Sequence, residues 1–147
     1  MDQSKNTKDQ SIAKAIGFLR SNRPLRAEEL CRDYLIQKPG CTEHLRLLSH
    51  ALMKQNRYLE AEEKLRFAIS LSPDYPQLHE DLGSVFAMQS RFDEAIPEFE
   101  RAIQLQPSLP LVHKKLGHAL AAVGRGKEAD EEFQSYIDSN PNREAVM

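Results

Sequence analysis

The side chains able to do chemistry in this chain are few and scattered. Five histidines, His44, His50, His79, His113 and His118, are the natural metal and proton-transfer candidates. A helical metal pair needs i, i+4 spacing, whereas His113 and His118 are five apart and His44 and His50 are six apart. Cys31 and Cys41 form no CxxC pair, and no histidine stands at metal spacing beside them. No GxSxG, P-loop or GxGxxG motif occurs, and Gly124-Arg125-Gly126 follows a helical pattern rather than a strand. Catalysis by these residues is therefore not expected, nor is a cofactor or a metal. The chemistry left is non-covalent. Lys114, Lys115 and His118 are a candidate grip for a phosphate or carboxylate, because Lys114 and His118, four apart, share a helix face. Exposed lysine pairs also serve solubility alone, and that reading stands beside the first.

The elements that must position these groups are legible in a ladder of prolines. Pro39, Pro73, Pro107 and Pro141 stand at one constant interval, 34 each time (73 − 39, 107 − 73, 141 − 107). Sixteen positions before each proline stands an arginine: Arg23, Arg57, Arg91 and Arg125. Twelve before each is an alanine, Ala27, Ala61, Ala95 and Ala129, and four before each is Leu35, Ile69, Ile103 or Ile137. One unit has been copied four times. Arrays of this kind stack helical units around a shared apolar stripe and present extended binding surfaces.

Each unit reads as two helices. In the third, Leu82, Val85 and Phe86 mark helix A, and Ala95, Phe99, Ala102 and Ile103 mark helix B. The turn between them is Gln89 to Asp93, with Asp93 expected as N-cap and Pro97 expected in the first turn of helix B. The second unit buries Leu45, Leu48, Leu52, Ala61, Leu65 and Ala68, and the fourth buries Leu116, Leu120, Ala129, Phe133 and Ile137. Small residues recur at one helix A position, Ala15, Ser49, Gly83 and Gly117, which lets helix B approach closely. The first unit is the least regular: Ser11 and Lys14 stand where apolar residues are expected, a departure ascribed to a terminal repeat meeting water. His79 and His113 take a helix A motif position, with a packing role and an exposed polar edge expected. His50 and His118 share a phase two units apart, too far to share a metal when neighbouring helices pack about 8–10 Å apart.

The pattern resembles the tetratricopeptide repeat, with its large–large–small–large helix A and its alanine, aromatic, alanine and proline in helix B. The third unit matches at Leu82, Gly83, Phe86, Ala95, Phe99, Ala102 and Pro107, and the fourth at Leu116, Gly117, Leu120, Ala129, Phe133 and Pro141. The resemblance implies an all-α fold: a right-handed superhelix of four helical hairpins, about 8–41, 42–75, 76–109 and 110–143. Helix A of each would line a concave groove. By phase, the groove would offer Arg46, His50 and Lys54 from the second unit and Glu80, Asp81, Ser84 and Met88 from the third. The fourth would offer Lys114, Lys115 and His118, and the first Ile12, Ile16 and Leu19. Apolar, basic, acidic and basic zones in that order suit an extended peptide of mixed charge.

Two known groove chemistries of the family are absent. The carboxylate clamp of its cochaperones would fall on Ile12, Ile16, Leu47, Gln77 and Asp81, or on Arg46, His50, Asp81, Leu111 and Lys115, and neither set supplies it. The asparagine ladder of the glycosyltransferase type would fall on Ala13, Leu47, Asp81 and Lys115. The segment Ala27-Glu28-Glu29-Leu30-Cys31-Arg32 is also similar to the opening repeat of bacterial proteins that carry a sulfotransferase domain downstream.

Bulk properties narrow the partners. A net charge of −2 gives no electrostatic case for nucleic acid or a membrane surface. No apolar run approaches the length of about 18 residues that a membrane span needs. The polar N-terminus lacks a signal-peptide core. Two cysteines without a framework suit a reducing, cytoplasmic location. Residues 1–8 are expected as a loosely ordered lead, and residues 142–147 as the start of a truncated further helix; the favoured reading of that end is an excised piece of a longer protein, beside self-association through Tyr136 and Ile137 and Tyr136 as a partial cap. The expected function is a protein- or peptide-binding scaffold; the alternatives are an accessory domain of a larger enzyme, such as a sulfotransferase, and an oligomerisation element.

Overall fold

The computed structural model describes residues 3–140. Among these, all regular structure is helical: α1 (Gln3–Arg20), α2 (Pro24–Gln37), α3 (Thr42–Lys54), α4 (Tyr58–Leu71), α5 (Pro76–Met88), α6 (Phe92–Leu105), α7 (Pro110–Ala122) and α8 (Gly126–Asp138). The chain divides into two compact units at Pro73/Asp74. In the first, α1 pairs with α2 and α3 with α4, and α3 also packs on α1 and α2. In the second, α5 pairs with α6 and α7 with α8, and α7 packs on α5 and α6.

The sharp turn inside each hairpin has one construction. Asn22, Asn56, Ser90 and Gly124 all take left-handed backbone, with φ of 58°, 59°, 58° and 84°. They recur at the period of the prolines, once per repeat. The next residue closes the turn by donating its N–H back over the helix end: Arg57 to the Leu52 carbonyl, Arg91 to Phe86 and Arg125 to Leu120, each at 2.9 Å. This is the Schellman closure, which satisfies carbonyls a helix end otherwise leaves bare. The same arginine then serves as N-cap of the following helix, and its guanidinium grips the glutamate three positions on: Arg57–Glu60, Arg91–Glu94 and Arg125–Glu128. The arginine of the repeat is thus a hinge pin between two helices.

That construction corrects two expectations. Asp93 is not the N-cap of α6; Arg91 is, without a side-chain cap bond, and Asp93 lies in the first turn with Glu94. Because α6 begins at Phe92, Pro97 falls past the first turn, inside the helix, where a proline forfeits one backbone hydrogen bond. A third correction concerns the start. α1 begins at Gln3, so most of the polar lead read over residues 1–8 is its opening turns. That segment contains neither glycine nor proline, and polar side chains do not oppose a helix whose apolar face starts later. The expected further helix over 142–147 lies outside the described residues.

The left-handed positions differ in strain. Asparagine tolerates φ > 0 better than serine, and glycine best. Gly124→Ala should therefore cost about 1 kcal/mol, while Ser90→Asn, the residue of the first two repeats, should stabilise slightly. Urea melts of the two variants against wild type check both signs.

The core follows the repeat phase. Leu45, Leu48, Leu52, Ala61, Leu65 and Ala68 are all buried in the first unit. In the second, Leu82, Val85, Phe86, Ala95, Phe99 and Ala102 are buried, as are Leu116, Leu120 and Ala129. Phe133 is only half-buried and Ile137 is exposed, so the fourth repeat completes its stripe less fully than expected.

Candidate functional site

The residues expected to meet a ligand sit on the first helix of each hairpin. In the second unit, Lys115 Nζ on α7 lies 2.9 Å from Glu80 Oε1 on α5. The pair ties the first helices of two successive hairpins, so neither charge is idle. Asp81, placed in the groove by phase, is buried and only 6% exposed. Ser84 follows on the same helix, and its buried Oγ has no hydrogen-bond partner. Lys114 and His118 remain exposed. The Lys114 ammonium stands 5.4 Å from the centroid of the Tyr136 ring, and His118 meets Phe133 edge-on at 5.1 Å. The candidate anion grip is thereby reduced to Lys114 and His118. Tyr136 is half-buried, covered in part by that lysine.

In the first unit, Arg46 and His50 are half-buried on α3, and Lys54 is exposed in its last turn, where a cation favours the helix dipole. These three share a helix face with the buried Ser49, whose Oγ donates to the Arg46 carbonyl at 2.6 Å.

His79 and His113 depart from expectation in one respect. Their polar edges are engaged rather than free: His79 Nδ1 is 2.8 Å from Glu98 Oε2, and His113 Nδ1 is 2.7 Å from Glu132 Oε2. His113 Nε2 also lies 3.1 Å from the Pro107 carbonyl. Each histidine bridges the two helices of its own hairpin at the same phase.

Sequence reasoning missed one polar cluster. His44 is fully buried, stacked on Tyr34 with centroids 3.7 Å apart. Its Nε2 lies 2.9 Å from Ser11 Oγ and its Nδ1 3.1 Å from Cys41 Sγ. Ser11 is buried, so its place among apolar positions reflects this bond across two hairpins rather than a wet terminal face. The signal in the sequence was the polar residue itself at an apolar phase. Burial holds the His44 imidazole below its ordinary range, and burial also pushes the Cys41 thiol up. Cys31, inside the core, is pushed up to about 12. Both thiols thus stay protonated, and weakly nucleophilic, near neutral pH.

A second cluster pins α2 to the next hairpin. Glu28 is buried and accepts hydrogen bonds from Arg57 Nη1 (2.8 Å), Arg32 Nε (2.8 Å) and Gln55 Nε2 (3.0 Å). Burial alone would raise its pKa; the bonds from Gln55, Arg32 and Arg57 outweigh it and hold the carboxyl below its ordinary value. Among the described residues no group of three or more His, Cys, Asp or Glu side chains is arranged to hold a metal ion, and no helix is long and apolar enough to cross a membrane.

Repeated hairpins with open first-helix faces define a helical-repeat module, a class built to bind rather than to catalyse. Two family models described as tetratricopeptide repeat match residues 46–110 and 86–146, and the chain belongs to this family of protein-interaction repeats. No curated protein sequence matches it. Among solved structures, a crystal structure of MamA superposes with a TM-score of 0.80 at 20% identity, covering 95% of this chain and 81% of that one. MamA from Desulfovibrio magneticus RS-1 gives 0.79 at 18%, covering 95% and 76%. A mutant O-GlcNAc transferase from Thermobaculum terrenum gives 0.76 at 27%, covering 82% of this chain and 23% of the transferase. The MamA likenesses show a shared fold.

Proposed function

We propose that the chain is a cytoplasmic peptide-binding module that holds a protein partner against the exposed faces of its first helices, with no role for nucleic acid or a membrane. The observation that carries this reading is the partnerless Ser84 hydroxyl on α5, buried within a residue that is itself only half-buried. An unmade hydrogen bond of this kind costs about 1–3 kcal/mol, and a turn of the serine side chain about its Cα–Cβ bond would bring the hydroxyl to an extended peptide, whose backbone donors and acceptors recover the bond. The adjacent hairpin offers Lys114 and His118 for an acidic group of the same peptide.

Screening the protein against a peptide array tests this. Lys114→Glu combined with His118→Glu should weaken the selected peptides about tenfold, equivalent to about 1.4 kcal/mol, and Ser84→Ala should also weaken them. Unchanged binding by both variants would overturn the surface assignment. Lys115→Glu is a poor probe, because it sets two carboxylates together at Glu80.

Self-association through α8 belongs to the same proposal, since Ile137 is 45% exposed there. Light scattering should show a rise in mass with concentration that Ile137→Lys abolishes; a strict monomer at high concentration contradicts it. The likeness to part of a glycosyltransferase favours a second reading, in which the array is the accessory region of a larger enzyme and presents substrate proteins to it.

A further inference from the structure

The second helices of the first unit carry an apolar pocket that the repeat pattern does not require. Its volume is about 460 Å³, within the size range of small-ligand sites. Leu45 and Leu48 of α3 form the buried floor, Leu35 and Ile36 of α2 one wall, and Phe67 of α4 the other. Ile36 is 79% exposed and Phe67 45%. Arg32 and Lys64 stand at the rim. Arg32 is engaged with Glu28 and Glu60, while Lys64 has no hydrogen bond or ion pair among the described residues.

The repeat supplies an internal control. Moved on by two repeats, the same positions in the second unit are Glu100 for Arg32, Gln104 for Ile36, Glu132 for Lys64 and Ser135 for Phe67. There His113, in place of Leu45, bonds Glu132 and the Pro107 carbonyl. The architecture is therefore compatible with a polar, acidic, hydrogen-bonded version of this place. In the first unit the His–Glu pair is replaced by Leu45 and Lys64, two further positions change to large exposed hydrophobics, and a carboxylate changes to Arg32. Folding alone gives no reason to expose Ile36 and Phe67 beside an unpaired cation. Apolar surface rimmed by charge of one sign is the pattern of a binding site.

We infer that this pocket is a second docking site, separate from the first-helix faces, for a short segment of another protein that carries bulky apolar side chains next to a carboxylate. The apolar groups fill the space between Ile36 and Phe67 over Leu45 and Leu48, and the carboxylate pairs with Lys64. Recognition through this face rests on charge and shape, with no demand on the residues proposed above for peptide capture.

Fluorescein-labelled octapeptides with leucine and phenylalanine in an aspartate–glutamate–serine background provide the probe, and the same apolar residues in a lysine–serine background provide the control. Acidic peptides should bind about tenfold more tightly than basic ones, shifting amide resonances of Leu35, Ile36, Leu48, Lys64 and Phe67. Lys64→Glu should erase that preference. Ile36→Gln, at a position 79% exposed, combined with Phe67→Ser should weaken binding at least about fivefold. Lys114→Glu with His118→Glu should leave it unchanged, which separates this site from the first-helix proposal. Equal binding of basic and acidic peptides, or resonance shifts confined to α5–α8, overturns the inference. Concentration-dependent shifts of the pocket residues without peptide would show a second copy as the occupant and would also overturn it.

Discussion

Gly83→Leu should destabilise the second unit by about 3 kcal/mol, at the upper end for an overpacked core. The site cannot take even one carbon. A Cβ placed on Gly83 would lie 2.6 and 2.7 Å from Cε1 and Cδ1 of Phe99, a ring only 1% exposed. Gly83→Ala should itself be destabilising, although alanine gains up to about 1 kcal/mol over glycine in helix propensity. Gly17, in the last turn of α1, lacks the obstruction: a Cβ there would meet nothing within 4 Å, so Gly17→Ala should stabilise. At Gly117 the same approach, 2.6 Å to Cε1 of Phe133, meets a half-buried ring with room to move, so the cost of alanine there should be smaller. The four repeats show the trade directly: Gly83 faces Phe99, Gly117 faces Phe133, and at the same phases Ser49 accompanies Leu65 and Ala15 accompanies Cys31. Phe99→Leu should consequently rescue part of the Gly83→Ala loss. Urea melts of the two single variants and the double variant measure the coupling; additive losses would contradict direct contact as the cause.

Glu28→Ala should cost the first unit about 2 kcal/mol. The carboxylate receives three donors, and removing it leaves Gln55 and two guanidinium groups short of a partner. The loss falls below that of a fully enclosed ion pair because both arginines keep Glu60 and remain partly exposed. Glu28 also makes stability depend on pH. Its folded pKa lies below its unfolded value, so its contribution is complete above about pH 4.5 and is lost as pH falls through the folded pKa. His44 acts with the same sign in an earlier window. Burial lowers its folded pKa, so protonation favours the unfolded chain, and stability falls as pH drops below about 6.5. The first unit should therefore soften in two steps on acidification, the later one diminished in Glu28→Ala. Thermal melts followed by first-unit amide resonances from about pH 7 to about pH 4 check this.

The fold was legible because the period was. Four prolines, arginines and alanines in phase place every helix, and the small-residue series anticipates the contact at Gly83. What remained hidden depends on distances across hairpins. The left-handed series Asn22, Asn56, Ser90 and Gly124 was visible as a period but unread, because its residue types vary while its backbone does not. Asp93 looked like a cap because the helix start was set two positions late; the arginine that closes the Schellman turn holds that place. The candidate site was only partly legible. Phase put Glu80, Asp81, Lys115 and Ser84 on first helices, but not which would be buried, paired or left without a partner. Ser11 with His44 and Glu28 with Arg57 join residues 33 and 29 positions apart, beyond any local pattern.

The central claim is that the first helices of this array hold a peptide. The most direct measurement is a ¹H–¹⁵N titration of the protein with the tightest peptide selected from the array. Saturable shifts are expected at Ser84, Lys114 and His118, with affinity reduced by Lys114→Glu combined with His118→Glu. Saturable binding that leaves those three resonances still, and is indifferent to that double substitution, would contradict it.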